Sequence, residues 1–159
     1  MSLDQIFQIG STTALLAWLL LATASVMAAG QWQRRLLFIG GRVIPVLLSA
    51  VYVVLLIIHW KSAPGGGFGS LDTVATLFAS RGKLLGGWLH FLAFDLLVGR
   101  WIIDQVIAPN SLEGRPKTGL SRWILLPCLP LTFMFGPAGF LLYQAMLLGS
   151  RRADATKTV

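Results

Sequence analysis

Four long apolar stretches dominate the chain, covering about 7–29, 36–60, 84–106 and 123–148. A helix needs roughly 20 apolar residues to cross a hydrocarbon core about 30 Å thick, and each stretch is long enough. The first has small residues at Ala22, Ala24 and Ala28, as a signal peptide would. Only Asp4 precedes it as a charge, and its apolar run exceeds a signal core, so it reads as a retained helix. The second holds one charge, Arg42, and one helix-disturbing residue, Pro45. Its β-branched run from Val43 to Ile58 has the length of a spanning helix, not of a strand. The fourth carries Pro127, Pro130 and Pro137, which imply kinks and freed carbonyls.

The connections differ in character. Ser62-Ala-Pro-Gly-Gly-Gly-Phe-Gly69 cannot hold a regular helix. From Ser70 a short helix over 70–80 is expected, with Ser70 as N-cap, Asp72 in the first turn, and Val74, Leu77 and Phe78 on one face. Such a piece would lie in the membrane interface. Ile107 to Arg122, with Pro109, Asn110, Gly114, Pro116 and Gly119, reads as a loop, and 149–159 as a polar, frayed tail. The expected fold is all-α: an integral membrane four-helix bundle, one transmembrane domain over 1–159, with a short interfacial helix between helices two and three.

Composition supports this pattern. Only 12% of residues are charged and 55% are hydrophobic, whereas a soluble domain carries about 25% charged residues. The net charge of +7 does not point to nucleic acid, because Lys and Arg flank apolar stretches rather than forming a patch with interleaved aromatics. Membrane lipids and the positive-inside tendency account for that placement. Seven of the thirteen basic residues lie in the Arg34/Arg35/Arg42 and Arg100/Arg115/Lys117/Arg122 regions, on the side opposite the termini. That places the N-terminus outside, although Arg151, Arg152 and Lys157 argue the reverse. The single cysteine, Cys128, excludes an internal disulfide.

Candidate chemistry concentrates in the third stretch, Gly86-Gly-Trp-Leu-His90-Phe-Leu-Ala-Phe-Asp95-Leu-Leu-Val-Gly-Arg100-Trp101. Asp95 lies at its midpoint, where an ionised carboxylate costs roughly 2.5–3.5 kcal/mol on insertion scales. Counting about 1.5 Å of rise per residue puts Arg42 of the second stretch at a similar depth, so an Arg42–Asp95 ion pair is expected. Arg100 and Asp104 are spaced to pair along the helix. His90 lies about 7–8 Å beyond Asp95 and on a different helical face, with Gly87, Phe94 and Trp101, so the two need not touch. His59 falls in the His90 half of the membrane. Two readings stay open: a buried staple fixing helix register, or a polar pocket handling a lipid-like ligand.

Other features carry less. Gly65-Gly-Gly-Phe-Gly69 lacks the preceding strand and following Gly-Lys-Ser/Thr of a phosphate loop. Gly82-x3-Gly86 and Gly136-Pro-Ala-Gly139 read as helix-packing patches. Trp32, Trp60, Trp101 and Trp123 suit interfacial belts. Trp88, Phe91, Phe94, Phe133 and Phe135 are candidates to line an apolar slot, with lipid contact as the plainer role. Two histidines and one cysteine at unrelated depths make no metal site.

Gly66-Gly-Phe-Gly-Ser-Leu71, Phe78-Ala-Ser80, Gly87 through Trp101 and Leu126-Pro-Cys-Leu-Pro-Leu-Thr-Phe-Met-Phe-Gly-Pro137 resemble the abscisic-acid-deficient-four-like family of small membrane proteins. The resemblance covers nearly the whole chain. Plant members are plastid proteins needed to convert violaxanthin to neoxanthin, and this chain, without a plastid leader, resembles a bacterial-type member of the inner membrane. It implies a cofactor-free carotenoid or isoprenoid isomerase working by acid/base chemistry in a dry slot. On that reading Asp95 and His90 are the acid/base pair, Arg42 and Arg100 their electrostatic partners, and Trp88, Phe91, Phe94 and Phe133 bind substrate. The alternative is a carotenoid- or lipid-holding subunit of a larger membrane complex. A proton or small-solute channel fits less well, since one Asp and one His make a thin relay.

Overall fold

The computed structural model describes residues 1–107 and 120–157, and these form helices with no strands among them. We label the helices α1 (Leu3–Val26), α2 (Gln31–Ile58), α3 (Leu71–Ala79), α4 (Arg81–Ile107), α5 (Arg122–Phe135) and α6 (Pro137–Lys157). Three of them, α1, α2 and α4, are long and apolar enough to cross a membrane. Most of the expected 107–122 connector lies outside the described residues. Where a frayed tail was expected, α6 runs on to Lys157, helped by Ala153 and Ala155, which have high helix propensity.

The helix ends explain where the chain turns. A capping box opens α1: Gln5 N–H donates to Ser2 Oγ and Ser2 N–H donates to Gln5 Oε1. At its other end the carbonyls of Ala24 and Met27 have no partner in α1. The buried Gln33 amide of α2 donates to both, at 3.0 and 3.3 Å. A side chain of one helix thereby satisfies the orphan carbonyls of the previous one.

Inside α2, Pro45 brings no N–H to the turn before it. The chain answers with a π turn over Ile39–Val43, in which Ile44 N–H reaches back five residues to the Ile39 carbonyl. Gly40 and Gly41 lie in this turn and bring α2 close to two neighbours. A Cβ at Gly40 would stand 2.9 Å from the Ala17 carbonyl oxygen of α1. One at Gly41 would stand 2.5 Å from Arg100 Cγ of α4.

α4 is the centre of the molecule, in contact with each of the other five helices. Half of its most apolar window is buried, against 22% for α2. Its glycines mark the close approaches: Gly82 abuts the His59 ring, Gly86 faces Tyr52, and Gly99 lies under the Trp18 ring. Small residues at crossings are how helices pack when water supplies no driving force between them. The exterior, by contrast, is apolar: Leu16, Leu19, Val46, Leu47, Val54, Ile57 and Leu141 are all exposed. That surface is compatible with a membrane protein.

Gly40→Leu should therefore push α1 from α2, because the obstacle is backbone and cannot rotate away. We expect a loss of about 1–3 kcal/mol, as for overpacked cores, read as a lower unfolding midpoint in detergent. The same change at exposed Leu47 to a larger side chain should leave the midpoint unmoved.

Candidate functional site

A cleft of about 700 Å³ lies where the end of α2 and the start of α4 meet the Gly-rich loop and α3. That volume suits a drug-sized ligand. Its walls are Tyr52, Leu56 and Trp60 of α2 and the segment after it, Ala63, Gly66, Gly67 and Phe68 of the loop, and Leu77 and Phe78 of α3. On the α4 side it meets Lys83, Gly87 and His90. His90 follows Lys83 by seven positions, which places them on one stripe two turns, or about 10 Å, apart. Gly87 sits between them, and a Cβ there would stand 2.7 Å from the Phe78 ring. Its lack of a side chain therefore lets α3 lie down against α4.

The loop is built to hold this roof. Ser70 and Thr73 form a capping box that starts α3. Gly67 N–H then donates to the Thr73 carbonyl at 3.0 Å, and Gly66 packs directly on the Leu77 backbone, where a Cβ would be 2.8 Å from Leu77 Cα. Gly65 takes a positive φ of 78°, a conformation that suits glycine. Among these glycines it is Gly66 that serves close backbone approach. His90 is held from below by Phe94, stacked at 4.5 Å between ring centroids, and faces Tyr52 at 5.2 Å. Trp60 and Phe68 remain 73% and 84% exposed, so their ring faces are free for a ligand to cover.

Asp95 is elsewhere. It is buried at 6% exposure, faces Gly136 at the break between α5 and α6, and does not line the cleft. Its Oδ2 has no hydrogen-bond partner. The expected Arg42–Asp95 ion pair does not form: the ion pairs among the described residues are Arg81–Asp4 at 2.6 Å and Arg100–Asp104 at 2.8 Å. Gly41 takes the position facing α4, level with Arg100, so its neighbour Arg42 points about 100° away and is exposed. The Arg100–Asp104 pair has the spacing the sequence suggested. His90 and Asp95 are thus not brought into one site.

A family model described as ABA DEFICIENT 4-like matches residues 5–143. The chain belongs to the ABA DEFICIENT 4-like family. Searches among curated proteins and among solved structures returned no significant match.

For this ABA DEFICIENT 4-like chain the remaining candidates fall outside the cleft. Trp88 donates to Ser11 Oγ at 3.0 Å and contacts the rings of Phe7 and Phe91 on the α1 side. There it lines a smaller crevice of about 250 Å³ with Leu3, Asp4, Phe7 and Arg81. Phe133 packs edge-on against Trp18 at 5.7 Å, and Phe94 supports His90 without lining the cleft. Sequence reasoning missed Tyr52, Lys83 and Phe68 as lining residues. The Lys83–Gly87–His90 spacing was an available signal, since 3.5-residue steps share a face; the loop's contribution had none.

Gly66→Val should lift the roof without disturbing the α1–α2–α4 packing, since the Leu77 backbone and the Ala63 carbonyl of the loop itself oppose the new side chain. Amide exchange across 67–79 should rise about tenfold or more while protection in α4 stays unchanged. Unaltered exchange in 67–79 would mean the loop does not fasten α3.

Proposed function

We propose that this chain is a multi-pass protein, of bacterial inner-membrane type, that takes a carotenoid or related isoprenoid into the His90 cleft. There it isomerises the end group by acid/base chemistry. The cleft carries this reading: apolar and aromatic walls of suitable volume enclose three side chains able to exchange protons, Tyr52, Lys83 and His90. Membership of a carotenoid-related membrane family supports the ligand class.

The chemistry such a site can do is limited and balanced. Opening an epoxide to an allene breaks a C–O bond as an acid protonates the oxygen. A base then removes a proton from the polyene, and the C–H electron pair becomes the new double bond. Product and substrate are isomers, so no oxidant or cofactor enters. In this reading the His90 imidazole takes the proton, and Lys83 or Tyr52 supplies the one given to oxygen. Asp95, which does not line the cleft, has no part in this step.

The same reading makes α5 and α6 one broken fourth crossing. α5 has 14 residues in the Arg122–Phe135 range, a length of about 21 Å, too short to span alone. Together with α6 the two complete a four-helix membrane bundle, and α3 becomes an interfacial helix over the cleft. A second reading, a carotenoid- or lipid-holding subunit without catalysis, is favoured by one observation. Among the described residues no carboxylate lines the cleft, and a ligand held by Lys83 and His90 needs none.

The test is the isoprenoid content of protein purified from a carotenoid-making host, wild type against His90→Gln. Catalysis at His90 predicts bound isoprenoid in both, with conversion reduced about 10²–10⁴-fold in the variant. Identical products in both would favour the holding role. Protein that retains no isoprenoid in either form would overturn both readings.

A further inference from the structure

The buried Asp95 has no cationic side chain near it. Arg42 is exposed, Arg100 is bound to Asp104, and no Lys, Arg or His nitrogen among the described residues lies within 4.0 Å of its carboxylate. A bare carboxylate at this depth is costly, so its charge must be balanced by a proton or by a bound ion. A proton would remove the charge but would leave Oδ2 without a hydrogen-bond partner, whereas a bound ion would supply both the charge and a contact for that oxygen.

What Asp95 faces is a helix break. α5 ends at Phe135, Gly136 turns the chain at a φ of 22°, and α6 starts on Pro137. Pro137 has no N–H to return to the Phe133 carbonyl, so the last turn of α5 keeps carbonyl oxygens that the helix does not use. Carbonyls at the C-terminal end of a helix carry partial negative charge, while the start of α6 favours the carboxylate beside it. A carboxylate and unused carbonyls at a mid-span break are the oxygen set that holds alkali cations in membrane proteins with broken helices.

We propose that Asp95 and the free carbonyls at the α5–α6 break bind one small monovalent metal cation. The ligand class follows from the donors. They are hard oxygens with a single negative charge, and no group of three or more His, Cys, Asp or Glu residues occurs among the described residues to suit a transition metal. The bound ion neutralises Asp95 and ties α4 to both halves of the broken segment. Gly136 is required here because any Cβ would meet the Asp95 carboxylate.

The experiment is thermal unfolding of the full chain in detergent, followed by tryptophan fluorescence. Sodium, lithium or potassium chloride replaces choline chloride at constant ionic strength and pH. At ten times the half-saturating concentration, the preferred alkali ion should raise the midpoint by about 3–6 °C. Asp95→Asn should abolish the response, and Asp104→Asn should keep it. If Asp95→Asn does not fold, wild-type protein should still bind radioactive sodium that unlabelled sodium displaces and choline does not. An equal effect of choline, a response that survives Asp95→Asn, or stabilisation that follows pH with no alkali-ion dependence would each overturn the proposal.

Discussion

The close approach of α4 to its neighbours is the constraint on which the other features depend. At Gly82 and Gly99 on α4, and at Gly40 and Gly41 on α2, side chains or backbone of the facing segment occupy the space a Cβ would take. Between helices in lipid the attraction is mainly dispersion, which falls off steeply with separation. Larger residues at these crossings would therefore lose most of what holds the bundle. The glycines also fix α4 in depth and rotation, and that decides what its polar residues meet: Lys83 and His90 reach the cleft, and Asp95 reaches Gly136.

One helix thus serves two separate polar environments. His90 and Asp95 differ by five residues, about 500° of rotation or 140° of angular offset, so a rigid helix presents them to different partners. The cleft side is roofed by a loop whose Gly66 sits against α3, and its aromatic rings are exposed enough to cover a ligand. The Asp95 side is closed by the break after Phe135. A helix break next to a carboxylate and an aromatic cleft bounded by Lys83 and His90 call for different occupants. That division is why we assign the isoprenoid to one and a cation to the other.

Much of the fold was legible from the chain because span length and apolarity are local properties. The runs that became α1, α2 and α4 needed only hydropathy, and Ser70 with Asp72 announced the start of α3. The Gly87–Trp101 segment and the proline-rich run to Pro137 led to the family, which the match over 5–143 then bore out. Depth counting failed at Arg42: its neighbour Gly41 packs level with Arg100 rather than Asp95, and Arg42 itself is exposed. The pairing of Asp95 with His90 came from the family resemblance, while helical rotation had already put them on different faces, and in the structure only His90 lines the cleft. Tyr52, Phe68 and Leu77 join one cleft only through the path of the loop, which no local pattern encodes. The prolines announced a disturbed fourth segment, but not that Gly136 would face Asp95.

The central claim is that the cleft between α3 and the Lys83–Gly87–His90 stripe holds an isoprenoid, and site-specific photo-crosslinking tests it most directly. A benzophenone amino acid replaces half-buried Leu77 in the cleft, or Ile57 on the exposed outer face of α2, in a carotenoid-making host. After irradiation, mass spectrometry of the modified peptides should find isoprenoid adducts at 77 and phospholipid adducts at 57. Phospholipid alone at both positions would show that the cleft is ordinary lipid-facing surface and would contradict the account.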